Sequence, residues 1–241
     1  MSESIDRIAQ SKPLYEMFNA VPRRYDLVNY LITFGLDASW RLAAAKECIA
    51  SQPSRVLDLC CGTGDLALNI AQLAADRVEV RGLDYSQPML DIAAAKAQSI
   101  RKNIPFIKGE AAALPFPDGY FDCVGISFAF RNLTYKNPLA ERHIAEVLRV
   151  LAPGGRFVII ETSQPESSVI RAFYHLYLRS YVRRIGSWVS GNKGAYQYLT
   201  ESAARFYTSG EVRDLLLSSG FSRFSCHPFL FGAVALYVAV K

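Results

Sequence analysis

A chain of 241 residues, 51% hydrophobic and 20% charged, can fill one core and carry an added cap, as ordinary globular proteins do. No apolar stretch reaches the roughly 18 residues that span a bilayer, and the opening "MSESIDRIAQSK" lacks the apolar centre of a signal peptide, so a cytoplasmic protein is expected. A net charge of +5 is too small to argue for nucleic acid, and no nucleic-acid partner is expected.

Along the chain, the first 50 residues stand outside any strand–helix alternation and are expected to form an N-terminal helical cap. From residue 51 to 162 short apolar runs alternate with helical patterns. Strands are expected at 55–59, 78–84, 105–109, 121–127 and 155–161, with "DLALNIAQLA", "QPMLDIAAAKAQSI" and "PLAERHIAEVLRVL" as helices between them. Pro153, Gly154 and Gly155 punctuate the last helix before its strand. Such alternation implies an α/β fold, a mostly parallel sheet with helices on both faces. Residues 163–205 leave the alternation again as a second cap and substrate segment. Residues 206–241 are expected to add a helix and two strands without a helix between them, hence a closing antiparallel hairpin and seven strands in all. The five cysteines (Cys48, Cys60, Cys61, Cys123, Cys226) are odd in number and contain no C-x-x-C pair. Reduced, mostly buried thiols are therefore expected, with no disulfide framework and no metal site.

The stretch "SRVLDLCCGTGDLALNIAQ", 54–72, passes from strand to helix through very small residues. In open α/β sheets a ligand sits beyond the carboxyl ends of the strands, where strand order reverses. Gly62 and Gly64 let the backbone approach it, and helix N-terminal amides face it. Asp84 ends the second strand twenty residues after Gly64, where a carboxylate can accept from both hydroxyls of a ribose. "GTGDLA" also fits a dinucleotide loop, and alone it is ambiguous. Two acids favour another ligand. Asp58, four residues before Gly62, would repel a pyrophosphate and attract an ammonium or sulfonium. Glu110 follows the third strand, where it can accept from an adenine amino group while Ala111 meets the ring. Adenine, ribose diol, ammonium and sulfonium are the parts of S-adenosylmethionine.

Three further segments carry a resemblance. "YDLVNYLITFGLDASWR" (25–41), "SFAFRNLT" (127–134) and "RVLAPGGRFVIIETSQP" (149–165) resemble the signatures of the quinone-ring C-methyltransferases of ubiquinone and menaquinone biosynthesis, the demethylmenaquinone methyltransferase type. "YQYLTESAARF" and the hairpin near Gly232 continue the match over essentially the whole chain. Asp37 stands where that family usually has His, Val28 where it has Met, Ala152 where it has Lys, Phe130 where it has Ile or Leu, and Cys61 where it has Gly. The resemblance implies a Rossmann-like, class I fold and S-adenosylmethionine as methyl donor. It implies donor contacts at Thr63, Asp84 with its neighbour Tyr85, Glu110 with Ala111, and Ser127, and a prenylated quinol such as demethylmenaquinol as acceptor. Asp37 motivates one alternative, a different small aromatic acceptor. Another is a catalytically silent donor-binding subunit of a quinone-synthesis assembly.

A quinol ring carbon becomes nucleophilic as an adjacent hydroxyl gives up its proton. The task is then to hold that carbon in line with the donor methyl and to help a proton leave. Tyr25, Arg131 and Asn132 are the residues expected around the quinol oxygens: Arg131 to stabilise a phenolate, Asn132 to orient it, Tyr25 to relay a proton. Equally, Tyr25 and Arg131 can simply tie the cap to the sheet. His143 reads as structural, His175 as weak evidence for a base, and Cys60 and Cys61 as packing residues. Residues 167–200 contain no Asp or Glu but carry Arg171, Arg179, Arg183, Arg184 and Lys193 among aromatic and aliphatic bulk. That composition suits peripheral contact with an anionic membrane or a groove for a prenyl tail. A cap helix or a homodimer contact is the alternative.

Overall fold

The computed structural model of the protein describes residues 22–75, 77–190 and 193–241; the side chains of residues 22–25, 190, 193 and 195 fall outside that description. Residues 1–21 of the expected N-terminal cap therefore lie outside it too. The elements are α1 (Pro22–Thr33), α2 (Leu36–Ile49), β1 (Arg55–Leu59), α3 (Asp65–Ala74), β2 (Glu79–Asp84), α4 (Gln87–Ser99), β3 (Phe106–Lys108), β4 (Phe121–Ser127), α5 (Phe130–Thr134), α6 (Ala140–Val150), β5 (Leu151–Thr162), α7 (Ser168–Tyr177), α8 (Arg183–Ser190), α9 (Lys193–Ala204), α10 (Ser209–Ser218), β6 (Arg223–Phe229) and β7 (Val234–Val240). One π-helical turn, Leu178–Val182, joins α7 to α8.

The seven strands form one sheet in the order β3-β2-β1-β4-β5-β7-β6. The first five run parallel, and β7 enters antiparallel between β5 and β6. The expected parallel sheet with a closing hairpin is thus the observed one. The chain steps outward from β1 through β2 to β3, then returns to the other side of β1 as β4. Strand order reverses between β1 and β4, and the crevice at their carboxyl ends is where such sheets bind ligands. Leu59 there pairs with Ile126, which places the glycine loop beside Ser127.

Alternation along the strands divides the core between the two faces. Leu57, Leu59, Val124, Ile126, Phe157 and Ile159 meet Ile144 and Val147 of α6 and Val212 and Leu216 of α10. Val56, Cys123, Val158 and Ile160 turn the other way, onto Ala44, Ala45 and Cys48 of α2 and Leu66 and Ile70 of α3. Both faces are covered, so these strands read as continuous apolar runs. β5 differs from expectation: it starts four residues earlier, at Leu151. Leu151 pairs with Phe121, pairing then shifts, and it resumes at Cys123 with Arg156. Pro153, Gly154 and Gly155 form an irregularity within the strand rather than its boundary. Gly154, at φ +75°, supplies the left-handed residue this requires.

The cap is built from two distant parts of the chain. The hydroxyl of Tyr177 donates to the carbonyl of Ile32, and that of Tyr181 to Leu31 O at 3.3 Å. Phe34 stacks on Tyr181 with ring centroids 5.3 Å apart. Leu178, Val182 and Ala203 make a small core beneath, and Val28 packs with Tyr196. These contacts fasten the end of α1 to the α7–α8 turn.

Candidate functional site

The glycine loop is held open by left-handed residues. Cys60, Gly62 and Gly64 have φ of 53°, 53° and 82°. A Cβ on Gly64 would lie 2.9 Å from Ala93 Cβ and 3.1 Å from the ring of Phe106, whereas one on Gly62 would meet nothing within 4 Å. Gly64 is thus glycine because neighbours crowd it. Gly62 instead presents bare backbone to open space.

Three strand-end acids follow along the edge of β1, β2 and β3. Asp58 is 1% exposed. Its Oδ2 accepts from Ala67 N at 2.9 Å, and its Oδ1 is buried without a partner. Burial pushes its carboxyl up to about 8; the Ala67 bond opposes this, Asp84 and Asp65 add to it, and Arg41 opposes it. Asp84 is also buried. It accepts from Gly62 N and Ser86 N, each at 2.9 Å, so it stitches the loop to β2. Burial raises its pKa against the pull of those amides. Tyr85 follows it, half-buried. Glu110 is exposed and Ala111 buried, in a short bridge to Ala113 that directly follows β3.

Cap residues close on this edge. Thr63 Oγ1 donates to Asp26 of α1 at 2.8 Å. Asp26 also pairs with Lys96 at 2.6 Å, and Lys96 with Asp65 at 2.7 Å. Arg41 of α2 donates from Nε to Ser127 Oγ at 3.2 Å. Its Nη1 pairs with Asp37 and lies 3.8 Å from Asp65. Thr33 Oγ1 donates to the same Asp37 at 2.8 Å. Asp37 is therefore engaged inside the cap, and through Arg41 on the side of the glycine loop. Together these contacts pair Arg41 and Lys96 with acids beside the glycine loop.

Arg131 belongs to a different cluster. It is 6% exposed, and its Nη1 donates to Glu161 Oε1 at 3.1 Å and Thr162 Oγ1 at 2.9 Å. Glu161, wholly buried, also accepts from the main-chain N–H groups of Arg131 and Thr162, at 3.0 and 2.8 Å. These bonds tie α5 to the end of β5 and not to the cap. Asn132 accepts on its main-chain oxygen from Asn137 at 2.8 Å, while its side chain makes no hydrogen bond among the described residues. Tyr25 lies in α1, but its side chain is outside the described residues. His143 bonds through Nδ1 to Leu133 O at 2.9 Å, a structural position with its pKa lowered by burial. Burial raises the Cys60 and Cys61 thiols, so neither is a ready nucleophile. Sequence reasoning assigned no role to Asp26, Arg41, Lys96 or Glu161. Asp26, Arg41 and Glu161 lie within the quoted signatures, which mark the positions without saying what they touch. Lys96 carries no such mark.

Residues 7–241 match the model of the ubiE/COQ5 methyltransferase family. The chain is 39% identical over 236 residues to a demethylmenaquinone methyltransferase of Deinococcus radiodurans, covering 98% of this chain and 95% of the relative. It is 32% identical to a ubiquinone/menaquinone biosynthesis C-methyltransferase of Pseudomonas paraeruginosa, over 99% of this chain and 93% of that one. Among solved structures, a SAM-dependent methyltransferase from Thermotoga maritima superposes with a TM-score of 0.59 at 20% identity, covering 90% of this chain and 98% of that one. At that identity the likeness speaks to the fold.

Proposed function

Because the chain belongs to the ubiE/COQ5 methyltransferase family, we propose that it transfers a methyl group from S-adenosylmethionine to a ring carbon of a prenylated quinol, demethylmenaquinol foremost. The observation that carries this reading is the row of acids Asp58, Asp84 and Glu110 at successive strand ends, beside the open face of Gly62. The residues fit such a donor. Asp58 keeps a buried, unmatched oxygen for an ammonium, Asp84 faces a ribose diol, and Glu110 with Ala111 takes the adenine. Thr63, Tyr85 and Ser127 complete the lining, with Gly62 and Gly64 giving backbone access. Bound S-adenosylmethionine supplies an electrophilic methyl group on a sulfonium. What remains for the chain is to hold the acceptor carbon in line, about 3 Å from that methyl, and to help a proton leave the ring. Arg131, Asn132 and Tyr25 take that part.

The acceptor reading extends to the membrane surface. Val169, Phe173 and Leu176 are exposed on one face of α7, and Trp188 of α8 is 82% exposed. Arg179, Arg183 and Arg184 are exposed beside them. No helix among the described residues is long and apolar enough to cross a membrane. A cytoplasmic enzyme touching an anionic leaflet through this face would meet a lipid-soluble quinol there; a homodimer contact is the competing use of the face. Asp37, which motivated another aromatic acceptor, is engaged by Arg41. Purified protein, methyl-labelled donor and a panel of benzoquinols, naphthoquinols and other small phenols test the assignment. Label in demethylmenaquinol is expected; transfer to no quinol would overturn it.

A further inference from the structure

The loop that follows β3, residues 110–116, carries Glu110 and Ala111 and makes few main-chain bonds within itself. Ala113 N donates to Glu110 O at 3.1 Å and Phe116 N to Leu114 O at 2.8 Å. Other polar main-chain groups of the loop need partners, and one face of α6 supplies them. Arg142, Glu146 and Arg149, spaced at i, i+4 and i+7, share one side of that helix. Arg142 Nε donates to Ala112 O at 2.7 Å, and Glu146 Oε2 accepts from Leu114 N at 2.7 Å. Arg149 donates to Leu114 O at 2.9 Å and to Phe116 O at 2.7 Å. Arg149 also grips Glu146 with a fork of two bonds, each 2.8 Å. That fork holds the Glu146 carboxyl below its usual pKa, against the effect of burial. Both side chains are thus fixed ions, and their bonds to the loop are charge-assisted.

We propose that Arg142, Glu146 and Arg149 are positioning residues for the adenine of the methyl donor. The inference rests on the adenine reading of Glu110 and Ala111 above. Ala112 directly follows that pair, and Glu110 is bridged to Ala113 across the turn. A loop pinned at Ala112, Leu114 and Phe116 leaves Glu110 little freedom to swing away from the adenine amino group. Adenine then meets a carboxylate already in place, and its binding does not have to order the loop. Such a site rejects a base without the amino donor, because the carboxylate is left facing an oxygen. The acceptor side is held by another side chain of the same helix. His143 bonds Leu133 O of α5, the helix that carries Arg131 and Asn132. Loosening the clamp therefore changes which donor binds and leaves the transfer step alone.

The test is Arg142→Met, which keeps the aliphatic stem of an exposed side chain and removes its bond to the loop. Calorimetry compares S-adenosylmethionine with its deaminated analogue, in which an oxo group replaces the adenine amino group. Wild type should prefer S-adenosylmethionine about tenfold or more, and the variant should lose about threefold or more of that preference. In turnover, KM for S-adenosylmethionine should rise while kcat stays within about twofold. Arg142→Lys, which retains a cationic donor, should restore most of the preference. Both donors are measured on the same folded protein, so a general loss of stability does not move their ratio. A ratio unchanged in Arg142→Met, even if both affinities fall, would overturn the proposal. The wild-type run separates the two readings. A wild type that binds both donors alike defeats the adenine reading, and this inference with it. A selective wild type beside an equally selective variant defeats the inference alone.

Discussion

At the scale of the residue, Asp58 holds a conflict that pH should reveal. Its carboxyl is raised from 3.8 to about 8, so between those values the folded protein keeps a proton that the unfolded chain has released. Protons bound then number more in the folded state, and stability must fall as pH rises through that window. A cation bound at the free Oδ1 restores the ionised form and flattens the slope. Thermal melts from pH 5 to 8 should show the unliganded wild type losing several degrees more than Asp58→Asn, with S-adenosylmethionine reducing the difference. Parallel curves for wild type and variant would place the conflict elsewhere. Asp58, Asp84 and Glu110 were legible in the sequence because a strand end is a local feature, marked by the apolar run before it. The partners of Arg131 were not, since Glu161 is thirty residues away and only strand pairing brings it near.

At the scale of the element, α1 is latched to the glycine loop and to α4 through one side chain. Asp26 accepts from Thr63 and pairs with Lys96, which reaches Asp65 as well. The pairs are partly exposed, so each contributes modestly, about 0.2–1 kcal/mol. In Asp26→Ala, amide exchange across Pro22–Thr33 should quicken roughly two- to fivefold while the strands keep their protection. S-adenosylmethionine should dissociate faster by a similar factor. Unchanged exchange in α1 would mean that Tyr177 and Tyr181 hold the helix unaided. This latch depends on the angle at which the cap docks, which no spacing in the sequence encodes. The strands and core helices were legible because their burial patterns repeat at 2 or 3.6 residues. β5 was misjudged at its start because Pro-Gly-Gly ordinarily ends an element. Here Leu151 pairs with Phe121 before the irregularity, and tertiary pairing overrides the local signal.

For the whole molecule, the distribution of charge matters more than its total. The acids of the candidate donor site line one sheet edge, whereas residues 167–200 carry cations and no acid. The exposed stripe of Val169, Phe173 and Leu176 gives this region an apolar face, with Trp188 exposed on the next helix. If that face meets an anionic leaflet, each arginine contributes about 1 kcal/mol, less as salt rises. Reversing Arg179, Arg183 and Arg184 to Glu should then remove about 3 kcal/mol or more, on the order of a hundredfold in vesicle affinity at low salt. The loss should shrink at high salt. These side chains lie apart from the contacts of Arg131 and Asp58, so turnover of a short-tailed, water-soluble quinol should survive the change. That dissociation is the decisive outcome, because a cap helix or a dimer contact predicts that both activities fall or that neither does. Vesicle sedimentation at two salt concentrations, run beside the soluble assay and a measurement of oligomeric state, distinguishes them. Binding indifferent to both salt and charge reversal would return α7 and α8 to an ordinary structural role.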